Sequence, residues 1–276
     1  MLGVLGASFS SIFVTYSTAP SSVLACYRLG LSVLLLCPFA LKSNYSEIKN
    51  ISKKSLLGCI LSGIFLALHF TFWFESLKYT SISSSTIIVC LEGVFCAIGY
   101  RLIFKGSIPK AGYFAIALSF LGSALIALSD SSASSHMLYG DMLAFFGAIF
   151  VAGYTLIGNR QRKHLSTSVY TFYTYISCFI CLVLMNLLTG TSLVGYGAKE
   201  YLLGLGLAVF STILGHSVFS YSLKFLSPTY VANCKLLEPV YASILAIFIF
   251  GQIPNLVKIV GAIVVISGVV LYSKYE

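Results

Sequence analysis

The sequence predicts an all-α integral membrane protein of ten transmembrane helices, arranged as two inverted five-helix repeats. Three observations predict it. Apolar runs of membrane-spanning length recur from end to end, positive charge alternates in density between successive loops, and the chain matches itself at a fixed offset.

Composition excludes most other classes. Of 276 residues, 58% are hydrophobic and only 9% charged, against about 25% charged in ordinary globular domains. Mean hydropathy is +0.95. The net charge of +9 does not indicate nucleic acid, because the basic residues sit between apolar runs and form no continuous patch. The eight cysteines all fall inside apolar runs, so a disulfide framework is not expected. Cys178 and Cys181 form a C-x-x-C with no neighbouring His or Asp, which reads as small residues packing between helices. No Lys follows a Gly and no Glu follows a His, so neither a phosphate-binding P-loop nor an H-E-x-x-H zinc site is present. No cofactor and no metal are implied. The N-terminus lacks the basic segment of a secretory signal and leads directly into further apolar runs.

The spans fall in order near 2–18, 20–41, 55–77, 81–104, 110–129, 139–158, 167–189, 200–223, 228–250 and 254–273, each near the roughly 20 residues a helix needs to cross a bilayer. They are too long, and alternate too little, for strands. With both termini cytoplasmic, the inner segments carry Lys42, Lys49, Lys53, Lys54, Arg101, Lys105, Lys110, Arg160, Arg162, Lys163, Lys224 and Lys274; the outer ones carry Lys78, Lys199 and Lys258. Twelve against three is the expected inward bias of positive charge. The longest loop, about 42–54, is too small for a catalytic domain.

A shift of 146 residues superposes the two parts of the chain. Ser76-Leu77-Lys78 falls on Ser222-Leu223-Lys224, Leu91-Glu92 on Leu237-Glu238, Tyr27 on Tyr173, Gly58 on Gly204 and Gly122 on Gly268. The histidines miss by one residue, His69 falling on Gly215. The repeats are expected at 1–130 and 139–274. Five crossings per copy force the second copy upside down relative to the first, the usual architecture of secondary transporters. By the same offset the first helix is about half a dozen residues shorter than the sixth, and one or two missing N-terminal turns are expected.

Four stretches carry a resemblance to a known family: "ASFSSIFVTYSTAPSSVLACYRLGLSVLLLCPF", "HFTFWFESLKYTSISSSTIIVCLEGVF", "LLEPVYASILAIFIFGQIP" and "FGQIPNLVKIVGAIVVISGVVLY". The chain resembles the drug/metabolite transporter (DMT) superfamily in its EamA-like branch, over nearly its whole length. The resemblance implies a carrier of small metabolites with a cytoplasmic N-terminus. Its central cavity would be lined mainly by helices 1, 3, 4, 6, 8 and 9, and Tyr16 and Tyr154 fall in such helices. Where family members often have an acidic residue after the Gly closing helices 4 and 9, this chain has Ser107 and Gln252.

Glu92 and Glu238 carry the clearest chemical signal. Each lies near the middle of a span, where a charge costs about 2.5–3.5 kcal/mol on insertion scales and normally faces a cavity or a partner. Either could take up and release a proton during transport. Lys235, three residues before Glu238, could equally neutralise it on one helical face, and Arg28 could neutralise Glu92. Pro239 is expected to kink helix 9, and Gly93 at the matching position could allow a similar bend. Ser85, Val89, Glu92, Cys96 and Gly99 form a narrow face of small and polar residues, which packing alone explains except for the glutamate. His69 and Trp73 lie one turn apart, and His216 and Ser220 repeat the spacing. These could be helix-to-helix hydrogen bonds and an interface anchor, or walls of a binding site.

The functional expectation is a secondary transporter of small metabolites, an amino acid or derivative by family resemblance, working by alternating access in the direction of efflux. Both signs at the site suit a zwitterion better than a plain cation. The partners are a small-molecule substrate, the lipid bilayer and protons as a candidate coupling ion, with the chain a monomer or homodimer in a bacterial inner membrane. Two alternatives stand beside it: a multidrug exporter of lipophilic cations, with an acidic aromatic cavity and the basic residues pointing elsewhere, and a non-transporting membrane enzyme or receptor, with catalytic residues clustered at one membrane face.

Overall fold

A computed structural model describes residues 1–80, 82–128, 137–250 and 255–275. Gln252, considered above, lies outside them. The described chain is helical. In order it forms α1 (Leu2–Tyr16), α2 (Ser21–Lys49), α3 (Lys53–Ser76), α4 (Ile82–Val89), α5 (Glu92–Phe104), α6 (Lys110–Leu128), α7 (Met137–Arg162), α8 (Thr167–Leu188) and α9 (Ala198–Gly206). A π-helical segment, Leu207–His216, runs on from α9 into α10 (Ser217–Ser222), and α11 (Pro228–Lys235), α12 (Glu238–Phe250) and α13 (Leu256–Ser273) follow.

Six helices are each long and apolar enough to cross a membrane alone: α2, α3, α7, α8, the continuous run Ala198–Ser222 and α13. α1 and α6 are shorter apolar helices. Two of the expected spans, 81–104 and 228–250, are each broken near the middle, separating α4 from α5 and α11 from α12.

Short polar side chains start the helices where the sequence places them. The hydroxyls of Ser52, Ser166 and Ser227 accept from the backbone N–H three residues on, and Asn255 does the same through its side chain. The expected loop at 42–54 is mostly helix. α2 passes a non-helical residue at Asn44 and continues to Lys49. Contacts to α8 hold that extra turn: the Ser166 N–H donates to Glu47 at 2.6 Å, and the Tyr173 hydroxyl donates to the Ile48 carbonyl at 3.1 Å.

Burial is distributed as a bilayer demands. Leu34, Phe39, Leu102, Leu121 and Phe248 are exposed, whereas Ser32, Ser62, Ser119, Thr174 and Ser211 are buried between helices. Without a hydrophobic drive between helices in lipid, close approach at small residues does the packing. The α6–α13 contact shows it: a Cβ at Gly122 would lie 2.6 Å from the Val265 nitrogen, and one at Gly261 would lie 2.9 Å from the Gly122 carbonyl oxygen.

Helix contacts recur when each element is exchanged for its counterpart 146 residues away. α2 packs on α8 and α6 on α13; α3 packs on α7 as the π segment packs on α1; α5 packs on α7 as α12 packs on α1. Glu200 is buried, with its carboxylate accepting from the Thr18 N–H and the Ser17 and Thr18 hydroxyls. That cluster ties the start of α9 to the α1–α2 turn.

The glycine geometry separates packing from tolerance. Gly122→Val should lower stability by about 1–3 kcal/mol, the usual cost of overpacking, because the obstruction is backbone. Gly93→Ala, where a Cβ would meet nothing within 4 Å, should leave thermal melting of the detergent-purified protein unchanged.

Candidate functional site

The site is built at the two helix breaks. Leu91 and Leu236 have nearly the same backbone angles, φ −58, ψ −11 and φ −59, ψ −13. Each break is a tightened turn with i→i−3 bonds: the Leu91 N–H donates to the Ile88 carbonyl at 3.0 Å, and the Leu236 N–H to the Asn233 carbonyl at 3.1 Å. In the second break Pro239 is the second residue of α12, where its missing N–H is not needed. Continued upstream as regular helix, its ring would collide with the Lys235 carbonyl. The first break forms without a proline.

Each break makes a glutamate the first residue of the helix that follows, Glu92 for α5 and Glu238 for α12. A carboxylate there is favoured by the helix dipole. The two acids nevertheless have different surroundings. Glu92 is buried, and its Oε1 accepts from Lys235 Nζ at 2.7 Å and from the Thr155 hydroxyl at 2.7 Å. Glu238 is half-buried and takes part in neither of the two ion pairs found among the described residues, Lys78–Glu75 and Lys235–Glu92.

This pairing departs from the sequence expectation at both bases. Lys235 reaches across to Glu92 on α5 rather than along its own span to Glu238. The reason is burial: Glu92 is the more deeply buried acid, packed among α5, α7 and α11, whereas Glu238 is half-buried. Arg28 does not meet Glu92. Its Nε donates to the Thr212 hydroxyl at 2.8 Å, its Nη1 to the Ser10 hydroxyl at 3.1 Å, and its guanidinium carbon lies 4.2 Å from the centre of the Phe70 ring.

Arg28, Lys235, Glu92 and Glu238 all line one central cavity of about 50 Å³. A second pocket of about 40 Å³ adjoins it past Trp73 and Val89. Together they have room for only a few water molecules, a contracted cavity. The walls come from α1, α2, α3, α4, α5, α7, the π segment, α10, α11 and α12. Compared with the family-based expectation, helix 2 is added, through Arg28.

The remaining candidates divide into wall and support. His69 and Trp73 both line the cavity with their rings stacked, centroids 5.7 Å apart at 11°, and His69 Nδ1 lies 3.0 Å from the Gly147 carbonyl. Among the described residues the Trp73 indole nitrogen has no hydrogen-bond partner. His216 also lines the cavity, with its ring edge-on to Phe70 and to Tyr154 and its Nδ1 without a partner among the described residues. His216 is the last residue of the π segment, whose wider turns place its side chain differently around the axis than an α-helix would. Tyr154 stands behind this wall, its hydroxyl 3.0 Å from that of Ser220. Ser85 ties α4 to α3 through the Ser76 hydroxyl at 2.6 Å. Cys96 and Gly99 pack on α7 at Ala152 and Leu156. Tyr16 is about half exposed at the end of α1 and is not a cavity wall.

Sequence reasoning missed Ser10, Thr155, Thr212 and Phe70. The available signal was weak: a single hydroxyl or phenyl group in an apolar run becomes informative only once a neighbouring helix brings a charge to it. Among the described residues no cluster of His, Cys, Asp or Glu could hold a metal ion.

Helices of membrane-spanning length around a buried charged cavity define a membrane transporter rather than a soluble catalyst. The model of the EamA-like transporter family matches residues 1–128 and again 138–274, and the chain belongs to that family. An uncharacterized transporter of Archaeoglobus fulgidus is 26% identical over 78% of this chain and 74% of its own length. A pseudopaline exporter of Pseudomonas aeruginosa, CntI, is 20% identical over 94% of this chain and 88% of its own. A crystal structure with 12% sequence identity shares the fold at a TM-score of 0.82, covering 99% of this chain and 94% of the other.

The buried pair generates a stability prediction. Lys235→Met should cost about 3–5 kcal/mol by leaving Glu92 without its cation. Adding Glu92→Gln should recover most of that loss. Thermal melting of the two single variants and the double variant checks it, and independent, additive losses would contradict the pairing.

Proposed function

We propose that the protein is a secondary carrier exporting a small amphoteric metabolite, an amino acid or derivative, by alternating access. The reading rests on one observation: two bases and two acids line a single cavity. Lys235 and Glu92 satisfy each other, which leaves one positive and one negative group for cargo. A lipophilic-cation exporter would need the basic side chains turned away from the cavity, and here both face it. The relative named as an exporter supports efflux.

The carrier architecture we propose is ten crossings: the six long helices, α1, α6, and the two broken helices α4–α5 and α11–α12. The offset repeat, the exchangeable helix contacts and the double family match support two five-helix halves, 1–130 and 139–274, inverted relative to one another. The excess of Lys and Arg in alternate loops supports cytoplasmic termini in a bacterial inner membrane. Broken helices at the junction of such halves are where carriers build their sites.

We assign proton exchange to Glu238, which has no cation of its own and borders the cavity. Glu92 serves as the fixed partner of Lys235. The expected cycle exchanges a proton taken up at Glu238 for outgoing cargo.

Counterflow in proteoliposomes tests both parts of this proposal. Wild-type protein should exchange radiolabelled amino acids and be driven by an imposed pH gradient. Glu238→Gln should lose at least about 90% of the gradient-driven component, and whatever exchange remains at equal pH should not respond to an imposed gradient. Unchanged gradient driving would remove the proton role, and transport of dye cations in place of amino acids would remove the cargo assignment.

A further inference from the structure

Arg28 is the most deeply buried charged residue of the cavity wall, 1% exposed. A guanidinium in such a place normally has a carboxylate beside it. This one has none. Its partners are two neutral hydroxyls and the face of Phe70, and Nη2 donates to no described residue. Both acids of the cavity are elsewhere: Glu92 is bonded to Lys235 and Thr155, and Glu238 forms no ion pair.

The hydroxyls set the orientation of the fork. Thr212 Oγ1 donates to the Leu207 carbonyl, five residues back in the π segment, and so presents its lone pair to Arg28 Nε. Ser10 on α1 holds Nη1. Phe70 covers one face of the guanidinium plane. Nη2 is the nitrogen of the fork left without a described partner, and Arg28 lines the cavity. A planar fork with two N–H groups on one edge is the geometry that binds a carboxylate bidentately.

We propose that Arg28, positioned by Ser10, Thr212 and Phe70, is the anchor for the carboxylate of the transported metabolite. This rests on the amphoteric-cargo reading above and deepens it by naming the group that reads the acid end. Such cargo supplies the anion that the buried guanidinium lacks. Lys235 is ruled out as the anchor because Glu92 already holds it. Because Thr212 belongs to α9–α10 and Ser10 to α1, on opposite sides of the chain's midpoint, an anchored carboxylate also bridges the two halves.

The test uses three probe mixtures on purified full-length protein: the common L-amino acids, their decarboxylated amines and their deaminated acids. The readouts are thermal melting and the fluorescence of Trp73, the single tryptophan of the chain, which lines the same cavity. In wild type the amino-acid mixture should raise the melting temperature and shift the fluorescence. Arg28→Gln should weaken that response at least tenfold, with Arg28→Lys intermediate because it keeps the charge and loses the fork. Thr212→Val, which leaves Arg28 in place, should weaken it less and serves as the arm to read if Arg28→Gln does not elute as a folded species. An equal response in wild type, Arg28→Gln and Thr212→Val overturns the anchor while leaving the amphoteric cargo standing. A wild-type response to the amines alone, or to none of the three mixtures, overturns the cargo reading and the anchor with it.

Discussion

The bond between Lys235 and Glu92 is the interaction on which the rest of the structure depends. An ion in the middle of a bilayer persists only with a partner or with water, and these two residues meet at 2.7 Å with Thr155 completing the carboxylate oxygen. The bond joins α11 to α5, elements 143 positions apart in the chain. It therefore fixes the register between the two broken helices. With both partners consumed, the other charges of the cavity cannot pair with them. Arg28 and Glu238 are left as the groups with capacity for something that comes and goes.

The helix breaks explain how a chain so apolar can carry this chemistry at all. A continuous helix satisfies its own backbone and offers only side chains to its neighbours. A tightened turn at mid-depth creates a new helix start, and both breaks do so at the same position of the repeat, leading into Glu92 and Glu238. The dipole of the following helix favours an acid there. The asymmetry enters with Lys235, whose counterpart by the 146-residue offset is Val89. One base without a counterpart at that offset separates the two acids into a bound one and an available one.

Much of this was legible in the sequence. Span lengths and capping residues such as Ser52, Ser166 and Ser227 follow from local rules that hold regardless of tertiary context. The two glutamates stood out because charge is costly in an apolar run, and Pro239 because it cannot sit inside an undisturbed helix. What sequence could not give was partner choice. Lys235 is three residues from Glu238, and helical spacing favours that pair; the pairing with Glu92 depends on which acid the fold buries more deeply, a property of packing rather than spacing. Arg28 found hydroxyls for the same reason. The helical turn beyond Asn44 was misread as loop because it is held by contacts to a distant segment, Ser166 and Tyr173, and the burial of Glu200 is likewise set by remote partners, Ser17 and Thr18.

Alternating exposure of the charged cavity is the claim that can be tested most directly, by solvent accessibility of a cavity wall from each side. Val151 lines the cavity on α7 and is buried. A cysteine at this position, in a variant lacking the eight native cysteines, can be labelled with a membrane-impermeant thiol reagent in vesicles of either orientation. The account predicts labelling from both sides, with the cargo or an imposed pH gradient raising reactivity on one side as it lowers it on the other. Labelling confined to one side under every condition would contradict it.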